Sequence, residues 1–276
     1  MELQENLEKF RKRGLAVASV SYDSVAVLKN FAERRGIAYP LLADPDSKMI
    51  RSFGLFNETV DKSSTFYGVP FPGTFILDKS GVVTAKYFET DYRQRYTASE
   101  ILVRQYGEAA GARGQAVETK HLRRTSSASL GTVHWGQRLA LVLELDLKPA
   151  MHVYAPGVQG YIPIELKLRE TPAFQAHAPS YPAARKLRLK AIRETVPVYE
   201  GRFRVMEDIT IAPEAQVKPQ LSPTGELAVE GTLRYQACDA RVCYPPETVP
   251  LKWTFRYESP DRQRVPDGLR RKAGGR

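Results

Sequence analysis

Along the first hundred residues, apolar positions recur alternately at helical and at strand spacing, the pattern of an α/β layer built on a parallel sheet. Leu3, Leu7 and Phe10 share one face of a helix that Gly14 would end. Residues 15–22 read as a buried strand, and Ser24 as the cap of a second helix that carries Leu28, Phe31 and Ala32 and closes at Gly36. A strand lies within 37–43, followed by a short helix through Met49, Ile50 and Phe53. Residues 74–77 and 82–88 predict a hairpin across the turn Asp78-Lys79-Ser80-Gly81, and a last helix covers about 97–106.

The texture then changes. Residues 107–119 are small, polar and rich in Gly and Ala, as in a linker. Beyond them, 138–147, 164–168, 185–191, 204–211, 226–235 and 249–257 alternate apolar and polar residues at period two between Pro and Gly stretches. That spacing predicts an all-β sandwich. Within it Leu187 and Leu189 would face the core while Lys186, Arg188 and Lys190 face solvent. No aromatic residue interleaves with these charges, so they read as a solvated strand face and not as a nucleic-acid surface. The expected organisation is an α/β domain over 1–106, a linker over 107–118, a sandwich over 119–258 and a basic flexible tail over 259–276.

Composition narrows the chemistry. No apolar run among the 276 residues approaches the roughly 20 needed to span a bilayer, and the opening MELQENLEKFRKR is charged, with no export signal. A net charge of +10 favours acidic partners without naming one. Two cysteines, Cys238 and Cys243, are too few for a disulfide scaffold or a four-ligand zinc site, and no metal or cofactor is expected. All thiol chemistry in this chain is confined to that pair. Separated by four residues, the two can face each other across the base of a hairpin. A disulfide there would close a short loop and staple the fold weakly, which suits reversible use. An inert disulfide and two free thiols remain open on spacing alone.

The stretch YQACDARVCYPPETVPL, residues 235–251, resembles the active-site hairpin of the N-terminal periplasmic domain of the thiol:disulfide interchange protein DsbD. Pro197-Val198-Tyr199-Glu200-Gly201-Arg202-Phe203 with Asp208-Ile209-Thr210-Ile211 is similar to that family's tyrosine-containing strand pair. Met151-His152-Val153-Tyr154-Ala155-Pro156-Gly157 with Tyr161-Ile162-Pro163 is similar to the HxY…PG…IP segment of related domains. The resemblance covers about 119–258 and implies an immunoglobulin-like domain that passes electrons through Cys238 and Cys243. It also implies partner contacts at Tyr199 and Tyr244, thioredoxin-like proteins or a membrane electron donor as partners, and a periplasmic location. The Cys-x4-Cys spacing is one residue shorter than that family's, and the segment expected to cap the sulfurs, 190–195, lacks Phe and Tyr.

Val20-Ser21-Tyr22-Asp23, Tyr39-Pro40-Leu41-Leu42-Ala43-Asp44 and the run from Val69 through Pro72 to Asp78 resemble the redoxin group of thioredoxin-like proteins, which includes peroxiredoxins and TlpA-type reductases. In that group the redox cysteine opens the helix whose later turns here read LQENLEKF, a position upstream of Met1. Residues 1–118 hold no cysteine, so only Pro72, in the place of the thioredoxin-type proline, carries over as a partner contact. The strand that would pair centrally in such a sheet is also absent, and the expectation is that the sequence starts late and that any export signal was lost with the missing segment. The leading expectation is a thiol–disulfide oxidoreductase. Its rivals are a peroxiredoxin-type antioxidant peroxidase with its catalytic cysteine outside this chain, and a non-enzymatic docking module with a permanent disulfide.

Overall fold

The protein is described by a computed structural model that covers residues 2–88, 95–107, 114, 116–189, 193–259 and 263–270. Contacts divide the chain into two units, Met1–Ile101 with Pro260–Arg276, and Leu102–Ser259. The division falls inside a helix, ahead of the expected linker.

The first unit runs α1 (Glu2–Glu5), α2 (Leu7–Lys12), β1 (Ser19–Ser21), α3 (Val25–Arg35), β2 (Leu41–Ala43), α4 (Lys48–Ser52), β3 (Gly73–Leu77), β4 (Val83–Phe88), β5 (Arg95–Tyr96) and the start of α5 (Ala98–Tyr106). The helix expected from Leu3 onward breaks at Asn6, whose amide turns to the Glu2 carbonyl and the Ser99 hydroxyl. Ser24 caps α3 by accepting from the Val27 N–H, and Gly36 ends it at φ 59°. The Asp44 carboxylate accepts from the Lys48 and Ile50 N–H groups and so anchors α4. β1 and β2 pair in parallel, and β3 and β4 form the predicted hairpin, with Asp78 bonded to the Ser80 and Val82 N–H groups in the turn. The strand expected over 15–22 as buried is shorter and leaves Val20 exposed, because β1 and β2 make a two-stranded sheet. Gly73 is required where it stands. A Cβ there would come within 2.3 Å of the Phe88 ring.

In the second unit β6 (Val117–Glu118), β7 (Leu122–Ala128), β8 (Thr132–Val133), β9 (Gln137–Leu147), β10 (His152–Tyr154), β11 (Glu165–Leu168), β12 (Phe174–Ala176) and β13 (Arg185–Leu189) come first. Then follow β14 (Glu194–Glu200), β15 (Arg202–Ile211), α6 (Glu214–Val217), β16 (Glu226–Tyr235), β17 (Ala237–Cys238) and β18 (Glu247–Tyr257). They form three sheets, ordered β12-β15-β9-β7-β6, β11-β16-β18-β8 and β13-β14-β10-β17. Leu141, Leu143 and Leu145 of β9, Val205 and Ile209 of β15, and Val229, Leu233, Trp253 and Phe255 of β16 and β18 interlock in one core. The third sheet contributes Val153, Tyr199 and Ala237 to that core from one face, and holds a second cluster of Tyr154, Val196, Val198 and Cys238 on the other. Alternation at period two produces this two-sidedness.

Two expectations change here. Val117 and Glu118 of the presumed linker are a strand paired with β7, while 108–113 and 115 lie outside the described residues. In the tail, Asp267–Leu269 forms a 3-10 turn, and 260–262 and 271–276 lie outside the described residues.

One core position makes stability depend on pH. Glu207 shares its strand face with Val205 and Ile209, is 5% exposed, and has a carboxylate oxygen without a partner. Burial first, and the Asp208 charge second, push its carboxyl up to about 7 from 4.5. A raised acid binds more protons folded than unfolded, so stability is full below the unfolded value and is lost as pH rises through about 7. The shift corresponds to about 3 kcal/mol. Glu207→Gln is expected to flatten the pH slope of urea unfolding between pH 5 and pH 8, and an unchanged slope would place the titration elsewhere.

Candidate functional site

Cys238 ends β17 and meets Cys243 as an isolated antiparallel bridge pair, with Cα atoms 4.0 Å apart and an S–S distance of 2.05 Å. The turn between them is built by Asp239. Its backbone N–H donates to the Val242 carbonyl, while its carboxylate accepts from the Arg241 and Val242 N–H groups and from the Tyr244 hydroxyl. Those bonds hold the Asp239 carboxyl below the usual range, so a fixed negative charge stands beside Cys238. The charge opposes a thiolate, whereas the cation of Arg241 in the same turn favours one. The two residues are unequal in access: Cys238 is 1% exposed, whereas Cys243 is an exposed residue.

Aromatic side chains form the wall. The buried Tyr154 hydroxyl lies 3.6 Å from Cys243 Sγ and donates toward it. Its ring stacks on Tyr161 at 4.3 Å, and the Tyr161 hydroxyl donates to Glu194 at 2.6 Å. That bond pushes the Tyr161 phenol up to about 12, and burial together with Glu194 raises Tyr154, so both hydroxyls keep their protons at neutral pH. Val196, Val198, Leu187 and Leu189 complete an apolar floor around Cys238. The leucines of β13 therefore line the site and not the main core.

Behind Cys243, the Tyr244 ring lies 4.4 Å from the His121 ring, and the Lys120 ammonium stands 5.4 Å from the same ring. His121 Nε2 is 3.5 Å from the Glu247 carboxylate, which also accepts from the Tyr235 hydroxyl. Tyr235 in turn contacts the Thr119 hydroxyl at 2.8 Å. The β6–β7 turn is thereby tied to the strand that leaves the cysteine loop.

The predicted pair Cys238 and Cys243 is brought together, with Tyr244 beside it. Tyr199 is not at this face. It is 5% exposed, stacked on Phe203 at 4.7 Å, and its hydroxyl donates to the Pro182 carbonyl, so the partner contact expected of it has no accessible group to use. Parity explains the miss, since Val198 and Glu200 of β14 face the sulfurs' side and Tyr199 the core. Pro72 lies in the first unit, half-buried, and no peptide among the described residues is cis. Of the capping segment 190–195, residues 190–192 lie outside the described residues, and Glu194 acts through Tyr161. Sequence reasoning passed over Tyr154, Tyr161 and His121. The first two stood inside the HVYAPG…YIP pattern, whereas nothing local marked His121. Among the described residues no cluster of His, Cys, Asp and Glu is placed to hold a metal, and no helix is long and apolar enough to cross a membrane.

Comparison with known proteins separates the two halves. Residues 1–86 match the AhpC/TSA family, and residues 125–252 match the family described as thiol:disulfide interchange protein DsbD, N-terminal. Peroxiredoxin Q of the Sedum lineare chloroplast is 33% identical over 84 residues, 30% of this chain and 42% of that protein. Peroxiredoxin Bcp of Escherichia coli K12 is 28% identical over 81 residues, 29% of this chain and 51% of that protein. The chain spans about half the length of the curated relatives it matches. Among solved structures, the N-terminal periplasmic domain of ScsB from Proteus mirabilis aligns at TM-score 0.36 and 13% identity, over 53% of this chain and 52% of that one. The half similar to the AhpC/TSA family is thus the α/β part of the chain, and the half similar to the DsbD N-terminal family is the β-rich part.

Proposed function

We propose that this chain exchanges electrons with a protein partner through the Cys238–Cys243 disulfide. The observation that carries the reading is the asymmetry of the pair, one cysteine 1% exposed and the other an exposed residue, on a four-residue loop. An incoming thiolate reaches Cys243 Sγ, a mixed disulfide forms, and Cys238 departs as the leaving sulfur. In the reverse direction Cys243 is the attacking thiolate, steadied by the Tyr154 hydroxyl, and Cys238 resolves the mixed disulfide. Tyr244 and the exposed Val242 flank the open sulfur as partner contacts. The match of 125–252 to the DsbD N-terminal family supports a thioredoxin-like protein or a membrane electron donor as partner, and a periplasmic setting.

The match of 1–86 to the AhpC/TSA family favours a second reading, an antioxidant peroxidase that the disulfide domain would re-reduce. Residues 1–118 contain no cysteine, so these residues offer no thiolate to attack peroxide. Exchange at the C-terminal pair is the reading that residues of this chain carry by themselves.

Alkylation after graded reduction tests the assignment. Two sulfurs per chain should become reactive together, and only after reductant is added. Two thiols that stay alkylatable under mild oxidation would refute it.

A further inference from the structure

Three adjacent strands and the cysteine loop place four side chains in one row. His152 of β10 is in register with Glu200 of β14 on one side and with Cys238 of β17 on the other, and Cys238 is in register with Cys243. Directly opposed residues of antiparallel strands project to the same face with Cβ atoms about 4.5–5.5 Å apart. The row Glu200, His152, Cys238, Cys243 thus runs across one face of the third sheet.

His152 is 3% exposed and its Nε2 has no hydrogen-bond partner. A buried ring nitrogen left unpaired is costly, and native structures keep few of them. While the disulfide is closed Cys238 carries no proton; once it opens, Cys238 becomes a thiol enclosed by Tyr154, Val196 and Val198, in the same row as the orphan nitrogen.

We propose that His152 is the general base that takes the Cys238 proton when the disulfide closes again. The inference rests on the exchange reading given above. In the step, Cys243 is joined to a partner sulfur as a mixed disulfide. The Cys238 S–H proton passes to His152 Nε2, and the Cys238 thiolate attacks Cys243 Sγ. The Cys238–Cys243 bond forms, the Cys243–partner bond breaks, and its electron pair leaves with the partner sulfur as a thiolate. The partner is reduced by two electrons overall and this chain is oxidised by two.

The surroundings suit both ends of that transfer. Burial holds the His152 imidazole below its ordinary range, which keeps it neutral and able to accept at neutral pH. The charges that act on it are the carboxylates of Glu200 on β14 and Asp239 in the cysteine turn, and both favour the imidazolium once it has formed. Glu200 is itself paired with Arg185 of β13 at 2.6 Å. From its own strand His152 meets the edge of the Tyr154 ring at 5.6 Å.

The test uses the full reduced chain and an excess of dithiobis-nitrobenzoate, whose coloured thiolate is released twice. The first release reports attack by Cys243 and the second reports resolution by Cys238. In His152→Gln the second phase is expected to slow by about 100-fold at neutral pH with the first within twofold of the parent. The parent's second phase should also rise with pH through a single inflection below pH 7, absent in the variant. A second phase unchanged in His152→Gln, or slowed no more than the first, would overturn the proposal. If the variant does not fold, the parent's profile decides, and a second phase that rises only above pH 8 overturns it as well. Failure of the exchange reading looks different: the parent's pair then has a midpoint more negative than about −300 mV, whatever the rate of its second phase.

Discussion

Cys238→Ser is expected to leave the chain joined to its redox partner as a persistent mixed disulfide, whereas Cys243→Ser should form none. The difference follows from access, because the sulfur that remains in Cys243→Ser belongs to a residue 1% exposed beneath Tyr154 and the β13–β14 side chains. A partner disulfide cannot reach it, and exchange should fall at least about a thousandfold. Cys238→Ser keeps the open sulfur and removes the resolving one, so the first step proceeds and the second stops. Both variants should remain folded. Closing so short a loop contributes only about 2 kcal/mol in the chain-entropy account, against a core that joins nearly every strand of the second unit. Non-reducing electrophoresis of each variant after incubation with a thioredoxin-like disulfide protein reads the outcome. A stable adduct on Cys243→Ser, with none on Cys238→Ser, would reverse the assignment of the two sulfurs.

The largest expected loss of stability lies away from the sulfurs, at Asp208. Its side chain is 2% exposed and pairs with Arg138 at 3.0 Å and with Arg104 of α5. Those side chains are 28% exposed in Arg104 and 17% in Arg138, so removing the carboxylate takes a buried anionic partner from two partly buried cations. Breaking such a network by deleting one partner costs about 3–5 kcal/mol, and the partial exposure of the arginines argues for the lower end. Asp208→Ala should therefore lower the melting temperature by roughly 10 °C, with Asp208→Asn intermediate. A change below about 1 kcal/mol would show the network to be dispensable.

Much of this fold was legible because its strands are two-sided. In β18 buried and exposed positions alternate along the whole strand, and for β9, β16 and β18, where apolar and polar residue types alternate in sequence, the predicted spans differ from the observed ones by at most two residues at any end. Short strands were not legible. β10 is three residues, all buried, and β17 is two, so neither shows a period, although together they carry His152, Tyr154 and Cys238. The cysteine loop was readable from spacing, but the unequal burial of its sulfurs depends on which face of the third sheet packs on the core, and that is set by long-range pairing. Tyr199 was misplaced for the same reason. A one-residue difference along β14 separates the sulfurs' face from the core, and no local signal fixes the choice.

The central claim is that the Cys238–Cys243 bond is made and broken in function. Its most direct test is the reduction potential of the pair in the full chain, obtained by equilibrating the protein in dithiol/disulfide buffers and counting alkylated sulfurs by mass. The account predicts a single two-electron transition with a midpoint less negative than about −300 mV, in the range of exchange-active pairs. A midpoint below that value would mark the bond as a permanent staple and contradict the account.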